Sequence, residues 1–94
     1  MALLVRSSGQ SEKVSIEQGN SLKQLQAFVG GSIEYVPVLN ENVKQQGYAY
    51  CYCNEEGKLQ GLPANPVASV MAGRIHFDPL AGDVVFMREG DEQE

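Results

Sequence analysis

The chain's most chemically versatile side chains are concentrated in one stretch, YAYCYC at 48–53, where Tyr48, Tyr50 and Tyr52 alternate with Ala49, Cys51 and Cys53. On a strand, successive side chains point to opposite faces, which predicts three tyrosines on one face and two thiols on the other. A thiolate pair can ligate a metal, and a tyrosine face can stack a flat ring. Structural zinc takes four ligands, however, and the single distant His76 does not complete a set. A mutual disulfide is disfavoured too, because Cβ vectors two apart on one strand face run parallel. Both cysteines are therefore expected to be reduced, small and buried, under a helix that their size lets approach closely. For the tyrosines three readings stay open: core, subunit interface, or ligand platform.

No other residue set offers catalysis. Ser7 and Ser8 lie in a turn with no local base, and no G-x-S-x-G elbow exists. Glu55 and Glu56 are adjacent and point apart, so they make no acid–base pair. Gly30-Gly31 lacks the Lys-Ser/Thr of a phosphate loop, and Asp78 with Asp83 falls short of a cation's oxygen set. His76, in RIHF, reads as a half-buried strand residue. The chain is read as a non-enzyme, with no cofactor and no metal.

The elements that position these residues follow from local signals. Residues 2–6 and 13–17 flank a Gly9 turn and read as a hairpin. A helix follows, capped by Asn20 or Ser21, with Ser21-x-x-Gln24 fitting a capping box. Leu22, Leu25, Phe28 and Val29 form its apolar stripe, and Gly30 ends it. Residues 32–38 form a strand that Pro37 marks as an edge. Residues 39–47 read as a polar loop, and YAYCYC as a central strand. Asn54–Gly57 makes a turn, and KLQGL a short return strand. Asn65-Pro66 starts a second helix as N-cap and first helical residue, with Val67, Val70 and Met71 inward and Gly73 as its stop. RIHF is an extended segment and GDVVFMRE the last strand. The sum is a small α+β fold, roughly ββαββ(β)αβ: one antiparallel sheet with two short helices, a single domain over 1–88 and an acidic frayed tail over 89–94.

At 94 residues, 43% hydrophobic and 20% charged, the composition is that of one ordinary globular core. The net charge of -5 and the scattered basic residues argue against direct nucleic-acid binding. No apolar run is long enough to span a membrane, and the start lacks the pattern of a signal peptide, so a cytoplasmic location is expected.

Three motifs, VGGSIEYVPV at 29–38, CNEEGKLQGLPANPVAS at 53–69 and GDVVF at 82–86, resemble a family of short uncharacterised proteins of phages and other mobile elements. The match runs in order from Leu22 to Phe86. It departs after G-L-P-x-N, where relatives often carry basic residues and this chain has Pro66-Val67-Ala68. The resemblance brings no residue-level activity. It implies a non-enzymatic accessory protein, one that counters host defence by sequestering a small nucleotide-derived signal. The alternatives are a host-protein inhibitor or DNA mimic, or a structural accessory protein.

A sequestering protein needs a preformed pocket, and small subunits often build one at a symmetric interface. A base would stack on Tyr48, Tyr50 or Tyr52, while Arg6, Lys44, Arg74 and the helix start at Asn65 would meet the anionic part. A homo-oligomer is expected, with at least one of the three tyrosines at or beside its interface.

Overall fold

A computed structural model describes residues 1–74 and 78–91. The expectations for His76 and the rest of RIHF beyond Arg74, and for the end of the acidic tail, fall outside the described residues. The elements are β1 (Ala2–Val5), β2 (Ser11–Val14), α1 (Ser21–Val29), β3 (Ile33–Pro37), α2 (Glu41–Gln45), β4 (Tyr48–Asn54), α3 (Pro66–Ala72) and β5 (Val84–Arg88). The strands form one five-stranded antiparallel sheet in the order β2-β1-β5-β4-β3. This is the expected α+β fold.

The last strand in sequence is the middle strand in space. β5 joins the β1–β2 hairpin to the β3–β4 pair. It therefore faces protein on both sides, which explains why Val84-Val85-Phe86-Met87 is apolar throughout and does not alternate. Val84 and Phe86 enter one core cluster with Val5, Val36 and α3's Ala68 and Ala72. Val85 and Met87 enter the other, beneath α1, with Leu4, Leu25 and Val29. Cys51 and Cys53 share the first cluster with Ala68 and Ala72, so small residues meet small residues there.

Several local expectations are corrected. The Asn20 side chain makes no cap bond to α1. Instead the Gln24 side chain accepts from Glu17 N–H (2.8 Å) and donates to the Ser15 carbonyl (2.7 Å), tying the helix to the preceding connection. Leu22 is 56% exposed and leaves the stripe to Leu25, Phe28 and Val29. The polar segment 39–47 holds the short α2. Asn40 caps it, its side-chain oxygen accepting from Asn42 N–H (3.0 Å) and Val43 N–H (3.4 Å), and Val43 anchors it in the core.

KLQGL makes no strand. Asn54 Oδ1 accepts from Glu56 N–H, and the Gln60 and Leu62 amides donate to Glu56 and Gly57, so successive turns satisfy the backbone locally. α3 is capped by Asn65 and has Pro66 in its first turn, as expected. Met71 packs on the core as expected, but the buried side is Ala68, Ser69 and Ala72, while Val67 and Val70 are exposed. Gly30 and Gly73 both end helices in the left-handed conformation, with φ of 82° in each.

Candidate functional site

The sequence places the three YAYCYC tyrosines on one face, but the register of β4 against β5 shifts between Tyr48 and Tyr50. Tyr48 lies opposite Arg88 and Tyr50 opposite Met87, so two steps along β4 match one along β5 and Ala49 is the extra residue of a bulge. A one-residue slip turns every side chain beyond it to the other face. Tyr48 is thereby corrected to the cysteine side, 5% exposed and edge-on to Phe86 at 6.4 Å. The Arg88 guanidinium lies 4.4 Å over its ring and donates to the Gln46 carbonyl at 2.7 Å. Tyr48 is core.

Tyr50 and Tyr52 stay on the α1 face, where Tyr35 of the edge strand β3 joins them. Tyr35 pairs with Tyr52, and the two rings meet edge-on at 6.1 Å. Tyr35 stacks on Tyr50 with centroids 5.2 Å apart and an interplanar angle of 28°. Tyr50 and Tyr52 are edge-on at 5.6 Å. These spacings are those of attractive aromatic pairs. Tyr50 and Tyr52 also pack on the α1-side core, while Tyr35 is 58% exposed. The outcome is a tyrosine corner at one end of the sheet, its inner two rings half-buried and its outer ring open to solvent.

The cysteines are free and buried, as expected. Burial, followed by the charge of neighbouring Cys53, pushes the Cys51 thiol far up. Burial and then the Glu34 carboxylate push Cys53 up to about 11, and Arg74 opposes this only partly. The Cys53 S–H donates to Glu34 Oε1 at 3.9 Å. Thiols held protonated are poor nucleophiles and poor metal ligands. Their folded values lie above the ordinary 9.0. The stability they contribute is therefore fully present below pH 9 and lost as pH rises through that value toward the folded ones. The urea midpoint is expected to fall more steeply above pH 9 in the wild type than in Cys53→Ala. Parallel pH profiles for the two proteins would contradict this.

Beside Cys53, a cleft of about 200 Å³ opens between β3, the turn after β4 and the segment before β5. Glu34, Glu55, Glu56 and Asp78 line it, against Lys58 and Arg74, and Lys58 pairs with Asp78 at 3.4 Å. An anion finds little there, because carboxylates outnumber cations. Among the described residues no three His, Cys, Asp or Glu side chains gather to hold a metal, and no helix is long and apolar enough to cross a membrane.

The other residues expected at a ligand site do not converge on the tyrosine corner. Arg6 pairs with Glu12 (2.8 Å) and Asp83 (3.4 Å) beside the β1–β2 hairpin. Lys44 pairs with Glu41 on α2. Arg74 lines the acidic cleft. Asn65 is fully buried. Its Nδ2 donates to the Val5 and Gly82 carbonyls, each at 2.9 Å, and its Oδ1 accepts from Ala68 N–H at 3.0 Å. Those bonds occupy both ends of its amide, which makes Asn65 a structural clasp.

Tyr35 is the member that sequence reasoning missed. Its signal was present: with Pro37 marking an edge strand, the alternation Ile33-x-Tyr35 puts a tyrosine on the rim of whichever face Ile33 covers.

Comparison with curated proteins and with solved structures gives no match. The family model for a domain of unknown function, DUF3846, matches residues 1–94, and the chain belongs to that family along its whole length.

Proposed function

We propose that this chain is a non-enzymatic accessory protein of the phage or mobile-element type, acting in the host cytoplasm as a counter-defence binding protein. In this reading the contact surface is the Tyr35–Tyr50–Tyr52 corner, and the ligand is a flat, nucleotide-derived molecule held by ring stacking. The observation that carries the reading is the ring set itself: three tyrosines within 5.2–6.1 Å of one another, with Tyr35 open to solvent. Stacking a base on an aromatic side chain is worth about 1–3 kcal/mol, enough for binding without covalent chemistry. The non-enzymatic half draws on the buried thiols, which are held protonated. Self-association belongs to the same reading, since an exposed aromatic patch at a sheet edge is commonly covered by a symmetric copy.

Arg6 and Lys44 are paired away from the corner, and Arg74 faces the acidic cleft. The ring therefore outweighs the phosphate in recognition. That same placement favours a second reading, in which the corner docks a host protein through aromatic contacts that need no cation. Titration with adenosine, a neutral purine nucleoside, of the wild type and Tyr35→Ser tests the first reading. Saturable binding that depends on Tyr35 supports it, and its absence leaves the second.

A further inference from the structure

Among the described residues the sheet's hydrogen bonding is left open at its two edges, β2 and β3. In the β3–β4 ladder, Val38 N–H donates to the Ala49 carbonyl and Glu55 N–H donates to the Ser32 carbonyl. Even-numbered residues of β3 therefore turn their backbone groups toward β4, and Glu34 and Val36 follow in the same register opposite Cys53 and Cys51. Ile33, Tyr35 and Pro37 direct theirs outward. Pro37 loses no ladder bond there, because the N–H it lacks would have pointed away from the sheet. The opposite edge is of another kind. β2 is only four residues long, and it places exposed Glu12 and Lys13 in its middle, the usual device against edge pairing. β3 carries a single charge, Glu34, whose carboxylate already accepts from Cys53.

We propose that β3 pairs antiparallel with β3 of a second copy, about a two-fold axis at Tyr35, joining two five-stranded sheets into one. The edge is self-complementary in this register. Tyr35 N–H meets the carbonyl of the partner's Tyr35, and Ile33 N–H meets the carbonyl of the partner's Pro37. Every outward N–H gains an acceptor, and the residue without a donor falls at the end of the ladder. Strands paired edge to edge keep their faces, so both tyrosine corners lie on the same side and form one strip with the two Tyr35 rings at its centre. The inference shares Tyr35 with the ligand reading and lengthens its platform, but the pairing itself requires no ligand.

Two measurements without ligand test it. Light scattering at micromolar concentration is expected to give twice the chain mass for the wild type. Tyr35→Lys, which sets two cations face to face at the axis, is expected to give the single mass with an unchanged far-ultraviolet spectrum. A short bifunctional thiol reagent is expected to link Tyr35→Cys into a covalent dimer, and to leave unlinked both the wild type, whose own thiols are buried, and Lys13→Cys on the β2 edge. A monomeric wild type, a dimer that persists in Tyr35→Lys, or linkage at Lys13→Cys in place of Tyr35→Cys would each overturn the proposal. None of these outcomes depends on ring stacking, so adenosine binding by a monomer would still stand if the pairing failed.

Discussion

Phe86→Ala is expected to lower the unfolding free energy by about 3–5 kcal/mol, the usual range for truncating a buried phenylalanine. Phe86 is fully buried in the strand that unites the two halves of the sheet, opposite both Leu3 and Cys51. Its ring also supports Tyr48, which in turn lies under Arg88. Truncation opens a cavity in the cluster between β5 and α3, and a small domain has little spare burial to offset it. With total stabilities of about 5–15 kcal/mol for native domains, that loss is a large fraction of the whole. The urea midpoint measures it, and a loss below about 1 kcal/mol would contradict the keystone role given to β5.

Asn65→Ala is expected to cost about 2–4 kcal/mol, more than the ~1 kcal/mol typical of a lost N-cap. The excess comes from the Nδ2 group, which bridges the Val5 and Gly82 carbonyls and so ties the end of β1 to the approach to β5. Removing it takes a buried donor from the Val5 and Gly82 carbonyls and leaves the Ala68 amide without its cap. Asn65→Asp separates the roles, because it keeps the cap acceptor while setting a carboxylate against two carbonyls. The aspartate variant is expected to lose stability nearly as the alanine does. A wild-type urea midpoint for Asn65→Asp would reduce Asn65 to a cap.

Much of this architecture was legible because its signals are local. The Asn65-Pro66 start, the Gly30 and Gly73 stops and the Pro37 edge each depend on the φ/ψ or donor count of one residue, which tertiary packing rarely overrides. The interior place of β4 was legible from the apolar residues on both its faces. What escaped depends on partners distant in sequence. The Ala49 bulge exists only relative to β5, so no pattern within YAYCYC announces it, and it moved Tyr48 from the candidate site into the core. The inward face of α3 is Ala68, Ser69 and Ala72 because the floor beneath it is made of cysteines. Hydropathy alone preferred Val67 and Val70. Asn65 was read correctly as a cap, but its bonds to Val5 and Gly82 span 60 and 17 residues. Of the expected ligand residues, Tyr50 and Tyr52 are found together, and Tyr35 completes them from a strand whose role was clear but whose neighbour was not.

The central claim is that the tyrosine corner binds a flat ring, and tyrosine fluorescence of the purified protein during an adenosine titration tests it most directly. The wild type is expected to be quenched saturably, and Tyr35→Ser, folded to the same urea midpoint, to bind about tenfold more weakly or worse, as the loss of one stacking partner implies. Quenching that is equal in the two proteins, or absent in both, would contradict the claim.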